Sequence, residues 1–299
     1  MKLIQFNYQN TPQMEEAINL CLGFFDGVHL GHQYLIKKAQ NEGYKTGILT
    51  FDSSPNYVLG KINDVHQLTS ISDKYEYFSE LGVDYLFLMH FDSAVSRLSK
   101  EDFVNLVLKK LNPHRLFCGE DYRFGYQGSG DGNYLKNYFD IDILKFYEID
   151  GEKVSSRSII YLLKDGNVKK AKELLSRYYR VDGLVVEGLK NGRKIDVPTA
   201  NLKLNYPYIY PKIGVYAGYA TIDDEKYNAI ISVGTHPTIN PLESPIIEIH
   251  ILDFDQNLYG KNIFVEFEEF LRDEKRIDSL EDLKAQIKID EEKAKKLLR

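Results

Sequence analysis

The sequence predicts an α/β protein in two parts: a domain built on a parallel sheet, then a small antiparallel β-barrel with a terminal helix. Three observations predict it. Short continuous apolar runs alternate with helical patterns through the first half, as parallel strands covered on both faces require. Short strands with period-two alternation and turn residues between them dominate the second half. The chain has 299 residues, room for two domains at about 150 residues each.

The elements follow in order. Ala17 to Leu22 reads as a buried strand, and Gly31 to Asn41 as a helix with Tyr34, Leu35 and Ala39 at helical spacing. Tyr44 to Phe51 is a strand, Asp73 to Glu80 a helix ending at Gly82, and Tyr85 to Met89 a strand. Lys100 to Leu111 is amphipathic, with Ser99 as N-cap and Pro113 beyond its end. Arg115 to Cys118 and Ile141 to Phe146 complete the first set of strands. After the helix Val168 to Leu175 come strands Val181 to Glu187, Gly214 to Ile222, Tyr227 to Val233, Ile246 to Leu252 and Ile263 to Phe267. A helix from Ser279 to Leu298 closes the chain. The change of period near Tyr178 divides residues 1–178 from 179–299.

Composition narrows the function. Apolar residues make up 43% and charged residues 27%, which excludes a disordered chain, a collagen and a coiled coil. The net charge is −6, so neither nucleic acid nor an anionic membrane is an expected partner. An acidic protein that handles phosphates must hold them locally, by backbone N–H groups, a few Arg and Lys, and Mg²⁺. Cys21 and Cys118 each sit in an apolar run and read as buried free thiols. No window reaches about 18 uninterrupted apolar residues, and residues 1–6 are too short a run for a signal peptide. The expected location is the cytoplasm. Aromatic usage is lopsided, with 22 Tyr, 16 Phe and no Trp. Tyr85, Phe87, Phe117, Phe146 and Phe267 fall on strands and are expected in the core, leaving Tyr122, Phe124 and Tyr126 as candidates for ring stacking.

The segment Gly23-Phe24-Phe25-Asp26-Gly27-Val28-His29-Leu30-Gly31-His32 follows the first long strand and opens the first long helix. His29 and His32 are three apart and lie on one face. Gly31 lets a phosphate approach the backbone, and the helix N-terminus supplies N–H donors. Imidazoles there stabilise charge developing on a nucleotide α-phosphate.

This segment resembles the His-x-Gly-His signature of nucleotidylyltransferases and, more narrowly, the opening motif of bacterial bifunctional riboflavin kinase/FAD synthetases. Leu49-Thr50-Phe51-Asp52 with Pro55, the loop Cys118 to Gly125, and Val154-Ser155-Ser156 resemble further motifs of the same family. In the second half, Gly192-Arg193 and Pro198-Thr199-Ala200-Asn201 resemble the phosphate and Mg²⁺ loop of riboflavin kinases. The strand Glu248 to Phe254 resembles the one bearing that family's catalytic carboxylate, and Phe270 to Glu274, with Arg272, its flavin-side loop. The departures are Phe24 where Asn is usual, Ser53-Ser54 for Pro-His, Ile160 for Arg, and Asp196-Val197 for Gly-Phe. Aminoacyl-tRNA synthetases also use His-x-Gly-His, but this short acidic chain has no basic patch for tRNA.

The resemblance implies a Rossmann-like FMN adenylyltransferase domain and a riboflavin kinase barrel. Riboflavin, FMN, FAD and ATP would be its substrates and products, Mg²⁺ its metal, and its assembly at most a weak homo-oligomer. It assigns Glu248, His29 and His32 to catalysis. It assigns Gly23, Phe24, Asp26, Gly31, Asp121, Ser155, Ser156 and Arg157 to nucleotide binding. In the kinase it assigns Gly192, Arg193, Pro198, Thr199, Asn201 and Arg272 to ATP and flavin, with Thr199 and Asn201 suited to a hard cation by their oxygens. Two competing expectations are a chain that retains one activity and a non-catalytic flavin- or nucleotide-binding regulator.

Overall fold

Continuous apolar sequence is what sheet strands buried on both faces require, and β2 is buried along its whole length. The structure is a computed structural model describing residues 1–40, 43–60, 64–186, 199–234, 245–254, 256–275 and 279–298. It divides into two compact units, Met1–Ser156 and Arg157–Arg299.

The first unit runs β1 (Lys2–Phe6), β2 (Ile18–Leu22), α1 (Leu30–Gln40), β3 (Thr46–Phe51), α2 (Pro55–Val58), α3 (Ile71–Glu80), β4 (Tyr85–Met89) and α4 (Lys100–Phe103). It continues through β5 (Pro113–Gly119), β6 (Arg123–Phe124), β7 (Gly130–Asp131), α5 (Gly132–Leu135), β8 (Ile141–Leu144), β9 (Glu148–Ile149) and β10 (Glu152–Lys153). Six strands form one parallel sheet in the order β1-β4-β3-β2-β5-β8. The order reverses at β2, which has β3 on one side and β5 on the other, so the ligand crevice of such a sheet falls at the C-terminal end of β2. Two apolar layers cover the sheet. One contains Phe25, Val28, Leu35, Ile36, Tyr77 and Phe78, brought by the turn after β2 and by α1 and α3. The other contains Phe103, Val107, Leu111, Phe124 and Leu135.

Three expectations change here. The helix expected over Lys100 to Leu111 is α-helical only to Phe103, and Val104–Leu108 continues as a π-helix. Its wider turn is closed by Lys109 N–H donating to the Val104 carbonyl, 2.9 Å. β1 goes unnoticed in the sequence because its pattern is mostly exposed. Phe146 lies past the end of β8 and is 37% exposed rather than in the core, with Lys153 Nζ 3.1 Å from its ring centroid. Cys21 and Cys118 are buried and free, and burial pushes the Cys118 thiol up to about 12.

The second unit runs α6 (Ser156–Asp165, its first residue closing the first unit), α7 (Val168–Leu175), β11 (Tyr179–Val186), β12 (Ala200–Leu204), β13 (Gly214–Ile222), β14 (Glu225–Gly234), β15 (Ile246–Ile251), β16 (Asn262–Arg272) and α8 (Leu280–Leu297). The six strands close as an antiparallel barrel, β11-β12-β15-β14-β13-β16. Alternation sorts them: Tyr216, Ile231 and Ile249 are buried register neighbours. On the opposite face Val215, Ala217 and Ile230 pack with Ala294 of α8 and with Leu298 just past its end. Gly218 is required by close approach, since a Cβ there would lie 2.0 Å from the Glu266 carbonyl oxygen. Among the described residues no helix is long and apolar enough to cross a membrane.

Candidate functional site

The segment from Gly23 to His32 joins β2 to α1 at the sheet's switch point. Its backbone is strained: Phe25 (φ 55°) and Val28 (φ 40°) both occupy the left-handed region. Such residues cost on the order of 1–3 kcal/mol each and persist only when their surroundings over-determine them. Here both side chains are fully buried, and the Phe25 ring meets Phe78 edge-on at 5.7 Å. The apolar side chains thus anchor the turn and leave its backbone to the crevice.

Polar contacts fix the rest of the turn. Asp26 Oδ1 accepts from the Leu68 and Thr69 N–H groups and from Thr69 Oγ1, at 3.0–3.2 Å. Thr69 Oγ1 in turn accepts from Gly27 N–H, 2.9 Å. Ser156 Oγ donates to the Asp26 carbonyl, 2.8 Å. The Phe24 carbonyl accepts from Thr50 Oγ1 and from Lys74 Nζ, each 2.9 Å. Lys74 is only 2% exposed. Burial pushes its ammonium down to about 8, against the opposing pull of Asp26, while burial raises Asp26.

His29 and His32 are brought together at the head of α1. Their rings stack with centroids 3.6 Å apart and planes 19° from parallel. The His29 carbonyl accepts from Gln33 N–H, 2.9 Å, so the helix begins directly beneath the pair. Gly31 is where this stacking needs space: a Cβ there would lie 3.2 Å from the His29 ring.

Other expected residues are distributed less directly. Asp121 is exposed and paired with Lys153, 3.0 Å. Arg157 is exposed in the first turn of α6. Phe124 does not serve for stacking on a ligand, because it is buried against Phe103 at 5.2 Å and leaves Gly130 no room for a Cβ. Tyr122 packs partly buried against the same cluster, and Tyr126 is half exposed.

Sequence reasoning missed Thr50, Lys74 and Thr69 as supports of the turn. One signal was available: Lys74, Tyr77, Phe78 and Leu81 follow helical spacing, which puts a lysine on the apolar face of α3. It also missed the pair of Asp52 and His90, 2.6 Å apart, beside a cavity of about 390 Å³ at the C-terminal ends of β1, β3 and β4.

In the second unit three of the expected residues, Asn201, Glu248 and Arg272, lie on one transverse row of the barrel. Asn201 of β12 pairs with Glu248 of β15, Glu248 with Ser232 of β14, Ser232 with Val215 of β13, and Val215 with Arg272 of β16. Register partners share a face, so Asn201, Glu248 and Arg272 all lie on the side covered in part by α8. Thr199 immediately precedes β12. Glu248 is half-buried between Ile247 and Ile249, which point to the other face. The Arg272 guanidinium is held by Asp290 of α8, with Nη2 2.8 Å from Oδ2 and the carboxylate side chain 2% exposed. Gln286 Nε2 donates to the same carboxylate, 3.0 Å, and His250 pairs with Glu291, 3.0 Å. Together these tie α8 to the barrel. Gly192, Arg193, Pro198 and Asp196 lie outside the described residues.

Comparison with known proteins matches the two halves separately. Residues 11–158 match the FAD synthetase family and residues 175–298 the riboflavin kinase family. A bifunctional riboflavin kinase/FMN adenylyltransferase of Listeria monocytogenes is 36% identical over 98% of this chain and 96% of its own length. Its namesake in Bacillus subtilis is 34% identical over 98% of this chain and 97% of its own. A crystal structure described as a macrolide-efflux protein from Streptococcus pneumoniae superposes with a TM-score of 0.91 at 31% identity, over 98% of each chain.

Proposed function

The chain belongs to the bifunctional riboflavin kinase/FMN adenylyltransferase family, and from that premise we propose that it converts riboflavin to FMN and FMN to FAD with two molecules of ATP. One observation carries the pairing of activities: the likeness to the Listeria relative runs through 98% of the chain, so both units are included.

In the kinase reaction Glu248 takes the proton of the riboflavin 5′-hydroxyl as its oxygen attacks the ATP γ-phosphorus, and ADP leaves. Thr199 and Asn201 present neutral oxygen donors two residues apart on extended chain, a set that suits Mg²⁺. When bound, Mg²⁺ neutralises phosphate charge, and the remaining requirement is positioning. Glu248, opposite Asn201 in register, lies beside that donor pair. Arg272 acts through α8, by holding Asp290, as a wall of the flavin side.

In the second reaction an FMN phosphate oxygen attacks the ATP α-phosphorus and pyrophosphate leaves. A phosphate nucleophile needs no strong base, so His29 and His32 stabilise the charge that develops, together with the N–H groups opening α1. Gly23 and Gly31 keep the backbone close to the phosphates, with Phe24 and Asp26 shaping the turn. Asp121, Ser155, Ser156 and Arg157 complete the nucleotide site. We place the functional boundary at 178/179, where the helices end and the barrel begins. The enzyme works in the cytoplasm on small molecules, without nucleic acid.

The purified protein, given riboflavin, ATP and Mg²⁺, forms FMN and then FAD on chromatography. A folded protein that forms neither overturns the reading; one product alone reduces it to a single activity.

A further inference from the structure

We propose that Lys74 is a positioning residue for adenylyl transfer: from α3 it holds the Phe24 carbonyl, at the entry to the strained Phe25, and so fixes the turn that carries His29 and His32. The proposal rests on the adenylyltransferase reading above.

Lys74 Nζ donates to the Phe24 carbonyl at 2.9 Å and stands 3.9 Å from the Phe24 ring centroid. Its charge acts on Asp26, the residue on the other side of Phe25. Phe25 has the left-handed backbone, so the ammonium is bonded to the residue that leads into the strained position. Simple satisfaction of the Phe24 carbonyl does not require it, because Thr50 Oγ1 already donates there. An apolar side chain would fill the same place on the buried face of α3 without the cost of desolvating an ammonium. What only a cation adds is a donor for residue 24 together with a counter-charge for residue 26.

The lysine is itself fixed. Ser70 caps α3, accepting from Asp73 N–H at 3.0 Å, while the Asp73 carboxylate accepts from Ser70 N–H at 2.9 Å. Lys74 N–H bonds to the Ser70 carbonyl, 3.0 Å. The adjacent Leu68 and Thr69 donate to Asp26. The start of α3 and the turn after β2 are thereby joined, and Lys74 is the link that carries charge.

The test uses the intact protein, with riboflavin phosphorylation as the fold control in the same molecule. Lys74→Met is expected to lower kcat for FAD formation from supplied FMN by about tenfold or more, since a displacement near 1 Å costs up to about 10²-fold. KM for ATP and FMN and the rate of FMN formation stay within about threefold. Lys74→Arg, which keeps a donor and a charge, recovers most of kcat. The proposal is overturned if Lys74→Met keeps full kcat, if only KM rises, or if Lys74→Arg is no better than Lys74→Met. Should Lys74→Met lose both activities, Lys74→Gln, which keeps a donor and drops the charge, is measured instead: slow FAD formation with intact FMN formation supports the proposal, and normal FAD formation overturns it. A wild-type protein that forms FMN but no FAD would instead refute the adenylyltransferase reading itself.

Discussion

Asn201 and Glu248 are register partners across β12 and β15, with their side chains on the same face of the barrel. Such partners have Cβ atoms about 4.5–5.5 Å apart, so the Glu248 side chain lies beside that of Asn201. Glu248→Gln keeps the size and loses the charge. FMN formation is expected to fall by about 10²–10⁴-fold, the usual contribution of a general base. FAD formation from supplied FMN is unchanged. Chromatography of the two half-reactions reads both, and a parallel loss of both activities would contradict the two-site arrangement.

His29→Ala gives the reverse pattern. The stacked pair loses one ring, FAD formation falls by about 10²-fold or more, and riboflavin phosphorylation continues. Gly31→Ala leaves both histidines in place but crowds His29, whose ring must shift by a few tenths of an ångström. It lowers FAD formation less than His29→Ala does, in the same assay.

Arg272→Met leaves the Asp290 carboxylate buried without its guanidinium. Breaking a buried pair from one side costs about 3–5 kcal/mol. The expected result is an earlier urea transition in the barrel, followed by tyrosine emission, since the chain has no Trp. Arg272→Met/Asp290→Leu regains most of the loss, because it removes both charges from the buried site. A double variant no more stable than the single one would show that the pair is not the source.

The His90–Asp52 pair yields a pH prediction. The hydrogen bond and charge of Asp52 raise the His90 pKa above its ordinary value of 6.5. The stabilisation is therefore fully present below about pH 6.5 and is lost as pH rises through the folded value. His90 is about half exposed, so the effect is at most about 1 kcal/mol. Wild type should exceed His90→Gln in stability at pH 6, and the difference should vanish by pH 9. A difference that grows with pH would reverse the assignment.

The parallel strands were legible because burial on both faces makes them apolar throughout, and Tyr85 to Met89 falls on β4 as read. β1 was not, because its pattern is mostly exposed. β12 and the start of α6 were hidden for another reason: their residues, Ala200 and Ser156 among them, read as binding loops and drew attention from the backbone they belong to. The histidine pair and Glu248 were legible as motifs. The supports were not. Asp26 finds Leu68 and Thr69 at a separation of 42 and 43 residues, and no local spacing encodes such a partner. Phe124 read as a stacking ring because a loop motif surrounds it, whereas the fold uses it as core.

The ring closure of β11 to β16 has a consequence for how this molecule meets other chains. With β11 hydrogen-bonded to both β12 and β16, the six described strands leave no edge. A strand from another protein finds no unpaired row of N–H and C=O groups to extend there. Strand addition, whether in aggregation or in peptide capture, is confined in the described sheets to the first unit, where β1 and β8 end the main array.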